Sequence, residues 1–129
     1  MPANASQWRV IVVEDEYDSI QMVCKILTHH EVEVHVAHNG VECLELLHDI
    51  LPTVVVMDLA MPEMDGWNTL KHIRANPHTA QIPVVAITAY HSSAVADDAA
   101  RAGFNAYFSK PINPKSFVSM LSQVLDASS

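Results

Sequence analysis

Three uninterrupted apolar runs constrain the fold of this chain more than any other feature. They span residues 10–13, 53–57 and 84–87, and β-branched side chains dominate them. Such runs are typical of strands buried on both faces, as in a parallel sheet covered by helices. Valines alternate with polar residues in 32–37, which predicts an edge strand, and 106–108 are predicted to form a fifth strand.

The segments between these runs have a helical period. Apolar residues recur three and four positions apart in five groups: Ile20, Val23, Cys24 and Leu27; Val41, Leu44 and Leu47; Trp67, Leu70 and Ile73; Val95, Ala99 and Ala102; and Phe117, Met120, Leu121, Val124 and Leu125. A strand followed by a helix, repeated five times, predicts an α/β domain with a mainly parallel sheet and right-handed crossovers. The group in 92–102 has small side chains, so we expect this helix to be the most mobile element.

Capping residues mark several of the predicted helix ends. Asn39 with Glu42 three positions later predicts an N-cap with a capping box. Asn113 before Pro114 predicts a helix start, and Gly103 predicts a helix end. Caps and apolar period therefore indicate the same boundaries.

Length and charge limit the classes of function. The 129 residues suit one domain, expected at 9–126 with tails at 1–8 and 127–129, and half of them are hydrophobic, enough for a core. A net charge of −8 argues against direct binding to nucleic acid or an anionic membrane, because phosphate binding needs clustered cations. The sequence has no apolar leader and no membrane-spanning run, so we expect a cytoplasmic protein.

Polar residues follow the predicted strands at one edge of the sheet. In chain order they are Glu14, Asp15 and Glu16, then Asp58, Thr88 and Lys110. Two carboxylates ~4 Å apart repel by about 4 kcal/mol at an effective dielectric constant near 20, so the cluster needs a raised pKa or a cation. Such oxygen ligands favour Mg²⁺, and together with the lysine and the hydroxyl they could neutralise phosphoryl oxygens. Each residue alone is more often a loop or cap residue, so the prediction depends on their joint occurrence.

The histidines and cysteines give a weaker signal. His35 and His38 lie three positions apart on a predicted strand, where they would face opposite sides, and no Cys or Glu completes a tetrahedral set. Cys24 and Cys43 lack the spacing of a zinc site or a disulfide framework. We therefore disfavour a zinc site, and also a phosphotransfer histidine, which would require a helical bundle.

Four separated motifs occur in order along the chain: Val12-Val13-Glu14-Asp15-Glu16, Asp58-Leu59-Ala60-Met61-Pro62-Glu63-Met64-Asp65-Gly66, Thr88-Ala89, and Lys110-Pro111. In this order and spacing they resemble the CheY-like receiver domain of two-component response regulators, and the resemblance covers residues 9–125. It implies a flavodoxin-like, doubly wound (βα)5 three-layer sandwich with a parallel sheet in the order 2-1-3-4-5.

The resemblance implies an acceptor and a metal site. Asp58 is expected to be the phosphoacceptor, attacking the phosphohistidine of a sensor kinase. Asp15 and Asp58 are expected to hold Mg²⁺ through their side chains. The backbone carbonyl of Ala60 would be a third ligand, and Glu14 would act through water.

It also implies phosphate ligands and a switch. Lys110, the Thr88 hydroxyl and the backbone at Ala89 are expected to bind phosphoryl oxygens. Thr88 would then move toward the phosphoryl group and vacate space for the Tyr107 ring, so that the fourth predicted helix, in 92–102, shifts. The position of Lys110 before Pro111 predicts a fixed backbone with a cis peptide bond.

Two positions depart from what fast dephosphorylation would need. Ala60 offers no side chain to position an attacking water, and Tyr90 is bulky enough to shield the phosphate. The first acidic residue of the pair is Glu14 where Asp is also found in the family, a change compatible with a role through water. We therefore expect slow intrinsic dephosphorylation.

The expected function is that of a regulatory phosphoacceptor that self-catalyses phosphotransfer and acts on no separate substrate. Its partners would be a sensor histidine kinase or a histidine phosphotransfer protein. An effector protein would bind the face formed by the fourth predicted helix, the fifth strand and the fifth helix (the α4-β5-α5 face). The protein would be a monomer or a dimer linked to phosphorylation. Two alternatives stay open: a pseudo-receiver that acts as an interaction module without phosphorylation, and an Mg²⁺-dependent phosphohydrolase, for which the chain leaves no residues to build a substrate cap.

Overall fold

The computed structural model of the protein describes residues 5–61 and 64–128. Five parallel strands form one sheet in the order β2-β1-β3-β4-β5, and this confirms the predicted order. The strands are β1 (Arg9–Val13), β2 (Glu33–Ala37), β3 (Val54–Asp58), β4 (Val84–Thr88) and β5 (Ala106–Ser109). All residues of β3 and β4 are buried, as their uninterrupted apolar runs predict, while the edge strands β2 and β5 are mostly half-buried.

Five helices cover the two faces of the sheet. They are α1 (Tyr17–His29), α2 (Gly40–Asp49), α3 (Gly66–Ala75), α4 (Ser93–Ala102) and α5 (Phe117–Ser128). One hydrophobic cluster joins the sheet to α1 and α5 through Leu27, Phe117 and Leu121. A second cluster on the opposite face joins it to α2, α3 and α4 and includes Cys43 and Ala99. The protein is therefore the expected three-layer sandwich.

The predicted caps lie where helices begin and end, with one shift. The Asn39 side chain accepts a hydrogen bond from the Glu42 N–H at 2.9 Å, and Gly103 ends α4 with a φ of 109°. Asn113, in contrast, does not cap the helix directly. Its carbonyl accepts from the N–H of Phe117 at 3.1 Å across a turn at 114–116, so α5 begins at Phe117, later than Pro114.

Regular structure extends beyond the expected domain at both ends. Residues Ala5–Gln7 form a turn of 3-10 helix, and Trp8 is 3% exposed within the first hydrophobic cluster, so the predicted tail at 1–8 is too long. At the other end, α5 continues to Ser128, into the predicted tail at 127–129. Trp8 is buried because its large apolar ring fills space against the sheet.

Three residues of the predicted helical groups are exposed, and one of them is Ala102 of α4. Val41 is 42% exposed and Met120 is 39% exposed. Cys43 takes the buried position of α2 instead of Val41, because an apolar spacing alone leaves the rotation of a helix against the sheet undetermined. Among the residues described, none of the helices has both the length and the apolar character needed to cross a lipid bilayer.

Candidate functional site

Three carboxylates meet beyond the carboxyl ends of β1 and β3. Asp58 is the last residue of β3, and Glu14 and Asp15 directly follow β1, which pairs with β3 in parallel. One carboxylate oxygen from each residue lies within 4.8 Å of the others. Glu14 is fully buried and Asp58 is 6% exposed, while Asp15 is open to solvent. The structure thus brings together the acidic residues that the sequence predicts for this edge.

Lys110 supplies the cation of the cluster. Its Nζ lies 2.5 Å from Oε1 of Glu14 and 3.4 Å from Oδ2 of Asp58. The backbone N–H of Lys110 donates to the carbonyl of Thr88 at 2.8 Å, and the peptide bond to Pro111 is cis, as predicted. The lysine is therefore held by its backbone at the end of β5 while its side chain reaches back to β1 and β3.

Glu14 is held on both of its carboxylate oxygens. While Oε1 faces Lys110, Oε2 accepts hydrogen bonds from the N–H groups of Asp15 and Glu16 at 3.1 and 3.2 Å. Burial raises the pKa of Glu14 above its usual value, nearby Asp58 raises it further, and Lys110 acts in the opposite direction. Burial also opposes the charge of Lys110, but Glu14 and Asp58 outweigh it and hold the pKa of the lysine above its ordinary value.

The donor set fits a hard divalent cation. All three clustered side chains offer carboxylate oxygens, and the exposed Asp15 leaves room for water on one side. One lysine faces these carboxylates, so a further cation would lower their mutual repulsion. Ala60 lies beside the cluster, since its N–H donates to Oδ1 of Asp58 at 3.3 Å. Its carbonyl as a metal ligand stays a prediction.

Thr88 closes the site from β4. It is 2% exposed, and its Oγ1 accepts a hydrogen bond from the N–H of Tyr90 at 3.0 Å. Ala89 follows it and, with Lys110 and Pro111, lines a groove of about 360 Å³ that is mostly apolar. The hydroxyl and the backbone of this loop thus lie at the same edge of the sheet as the acidic cluster.

Gly66 has a role that the motif alone did not assign. A Cβ at this position would lie 2.6 Å from the carbonyl oxygen of Asp58 and 2.9 Å from the Cα of Leu59. Glycine therefore lets the start of α3, capped by Asp65, approach the end of β3. The Asp-Gly pair in the sequence is the signal for it. Pro62 and Glu63 of the same motif lie outside the described residues.

Tyr107 and His91 make a second contact near Thr88. Tyr107 is half-buried on β5, and its hydroxyl oxygen lies 3.0 Å from Nδ1 of His91. Sequence reasoning singled out Tyr107 but not His91, because nothing in the local pattern relates residues sixteen positions apart. His35 and His38 face different carboxylates, those of Glu33 and Glu42.

Comparison with known proteins gives the family. The family described as the response regulator receiver domain matches residues 10–122. This chain belongs to that family. The receiver domain is 36% identical to a 14.6 kDa protein of Leptolyngbya boryana, over 92% of this chain and 90% of that protein. It is 39% identical to the regulatory protein AtoC of Escherichia coli over 81% of this chain, but it spans only 22% of AtoC.

A solved structure confirms the fold of the receiver domain. The chemotaxis protein CheY4 of Vibrio cholerae superposes with a TM-score of 0.85 at 26% identity, covering 91% of this chain and 98% of that chain. The resemblance inferred from four short motifs is therefore confirmed, and so is the flavodoxin-like architecture. The roles of the individual residues stay predictions.

Proposed function

We propose that this receiver domain accepts a phosphoryl group on Asp58 in a two-component phosphorelay. The donor would be a sensor histidine kinase or a histidine phosphotransfer protein, and the reaction would take place in the cytoplasm. The convergence of Glu14, Asp15, Asp58 and Lys110 within a few ångströms carries the proposal. A purely structural role would not favour three carboxylates at one point, because their repulsion costs free energy.

The transfer follows from the groups present. A carboxylate oxygen of Asp58 forms a bond to the phosphorus of the phosphohistidine, and the phosphorus–nitrogen bond breaks. The electron pair of that bond stays on the imidazole nitrogen, which takes a proton, so that histidine and an aspartyl phosphate result. Lys110 and the Thr88 hydroxyl neutralise and bind phosphoryl oxygens. Mg²⁺, held by Asp15 and Asp58 when bound, supplies Lewis-acid neutralisation of the same charge.

The output is a change of surface. A phosphoryl group on Asp58 attracts the Thr88 hydroxyl, and Tyr107 moves into the space that Thr88 leaves. Of the residues of α4, all of which the structure describes, only Ala99 is buried, so moving this helix disrupts little apolar packing. The changed face is formed by α4, β5 and α5. An effector protein would bind this face through residues such as Val95, Asp98, Arg101, Tyr107 and Lys115.

Acetyl phosphate tests the proposal directly. With Mg²⁺ and this small donor, the protein is expected to gain the mass of one phosphoryl group. Asp58→Asn abolishes the gain, because the amide is a poor nucleophile. Asp49→Asn, at the end of α2 away from the site, serves as the matched control and retains it. No mass gain in the wild type would contradict the proposal and favour an interaction module, and repeated turnover of phosphate esters would favour a hydrolase.

A further inference from the structure

In the loop between β4 and α4, the adjacent residues Tyr90 and His91 are each hydrogen-bonded to a hydroxyl group, that of Thr88 and that of Tyr107 respectively. The N–H of Tyr90 donates to Oγ1 of Thr88 at 3.0 Å. The ring of the next residue, His91, lies with Nδ1 3.0 Å from the hydroxyl oxygen of Tyr107, and the two ring centroids are 5.5 Å apart. Both residues of the expected switch are therefore in contact with the same two-residue stretch of loop.

Thr88 and Tyr107 belong to the same face of the sheet. In the β4–β5 ladder Tyr107 lies beside Ala86, and Thr88 follows Ala86 by two positions. Because side chains two apart on a strand share a face, the two residues project toward the same helical layer. Tyr107 packs there against the second hydrophobic cluster, as Val95 of α4 does. A displacement of the loop at 89–92 thus acts on Thr88, Tyr107 and α4 together.

The contact between His91 and Tyr107 is not required for burial. His91 is exposed, so its ring nitrogen could bond to water at little cost. A hydrogen bond between two groups with access to water does little for stability, but it selects one position of the tyrosine among those its pocket allows.

We propose that His91 is a positioning residue of the switch, which holds Tyr107 in the place it occupies before phosphorylation. When the Thr88 hydroxyl turns toward the phosphoryl group, its oxygen leaves the N–H of Tyr90. The loop is then released, and His91 moves away from Tyr107 with it. This inference rests on the proposed function. To the proposed function, this inference adds a specific contact, between His91 and Tyr107, that biases the protein toward the unphosphorylated conformation.

Beryllofluoride with Mg²⁺, followed by tryptophan fluorescence in the full chain, tests the role of His91. Removing a contact made only in the resting conformation makes activation easier. His91→Ala is therefore expected to lower the half-saturating beryllofluoride concentration by roughly two- to tenfold, the range set by one net hydrogen bond. Tyr107→Phe should have a similar effect, and the double variant no larger one. His91→Asn, which keeps a polar atom near the position of Nδ1, should restore the wild-type concentration.

A spectroscopic signature separates positioning from general stability. The chain has three tyrosines, so selective labelling gives few ring signals. In unliganded His91→Ala, the Tyr107 signal should shift toward its position in beryllofluoride-bound wild type, while saturating acetyl phosphate still phosphorylates the variant completely. The role of His91 would be overturned by an unchanged half-saturating beryllofluoride concentration in His91→Ala, or by additive effects of the two single variants. In either case a response of the wild type would still uphold the proposed function. A wild type that does not respond would overturn both.

Discussion

At the scale of single residues, Glu14 organises the site. It is fully buried, and two backbone N–H groups and Lys110 satisfy its carboxylate. In this conformation Lys110 lies nearer to Glu14 than to Asp58, at 2.5 Å against 3.4 Å. Because the Glu14 side chain is longer than that of an aspartate, it reaches Lys110 and pairs with it before phosphorylation. A phosphoryl group on Asp58 would attract the lysine away from Glu14.

Removing the charge of Lys110 should destabilise the protein. Lys110→Met leaves the buried Glu14 without its cation, and we expect the free energy of unfolding to fall by about 2 kcal/mol. Mg²⁺ should recover part of this loss, because a second cation then faces the same carboxylates. Urea unfolding in Mg²⁺ and in EDTA measures both effects. Lys115→Met, at an exposed position, is the control, and an equal loss in both variants would count against the role of the ion pair.

The aspartyl phosphate is expected to decay slowly. Ala60 and Tyr90 are both exposed beside the site, Tyr90 at 75%; Ala60 has no group to position an attacking water, and the ring of Tyr90 is bulky enough to shield the phosphate. Ala60→Asn, which adds a polar side chain next to the acceptor, should shorten the phosphoryl half-life severalfold. Phosphate release after removal of the donor gives the rate. A half-life of only seconds in the wild type would refute the expectation.

At the scale of elements, Arg74 connects α3 to the loops on either side of β4 and α4. Its guanidinium donates to the carbonyls of Ala80 and Ile82 before β4, and to the carbonyl of Gly103 and the side chain of Asn105 after α4, all at 2.7–3.1 Å. Burial lowers the pKa of this arginine from its usual value. The carboxyl-terminal end of α4 is thus anchored, while its amino-terminal end follows the loop that contains His91.

Arg74→Met should loosen this anchor. Five N–H donors are lost while the apolar stem stays, so we expect the free energy of unfolding to fall by about 2 kcal/mol, with faster amide exchange at 103–105. Arg101→Met is the matched control, because Arg101 pairs only with the exposed Asp98 among the ion pairs resolved in the described residues. Hydrogen exchange and urea unfolding measure the two effects. Equal exchange at 103–105 in both variants would be inconsistent with an anchor.

At the scale of the whole molecule, the sheet separates two hydrophobic clusters, and both must form for the fold to be stable. Cys43 lies in the second cluster and is fully buried, and burial raises the pKa of its thiol to about 12. Cys24, on α1, is half-buried, and burial raises the pKa of its thiol as well. The rate at which each thiol reacts therefore reports how often the packing on its side of the sheet opens.

A thiol reagent should distinguish these two cysteines. At pH 8 a thiol with a pKa near 12 is about one part in ten thousand thiolate, the reactive form. Cys43 is expected to react only as fast as the native protein unfolds, whereas Cys24 reacts faster. Single Cys→Ser variants treated with a disulfide reagent give each rate. Fast reaction of Cys43 in native buffer would mean that the second cluster opens locally.

The strands and the acceptor site were predictable from the sequence because their signals are local. Uninterrupted apolar residues mark β1, β3 and β4, and Asp58 and Thr88 directly follow two of these runs. The rotation of α2, which buries Cys43 and exposes Val41, was not predictable, since several apolar residues compete for one narrow contact with the sheet. Trp8 falls in a predicted tail for a different reason, because a single apolar residue has no period.

By itself, the sequence determined the order of strands and helices, their main boundaries, and which residues end at the functional edge, since these depend on neighbours a few positions apart. Only the tertiary structure decided that Lys110 meets Glu14 across 96 positions, and that His91 meets Tyr107 across sixteen. Such contacts depend on strand register and on how the loops close over the sheet, and both arise from the packing of the whole chain.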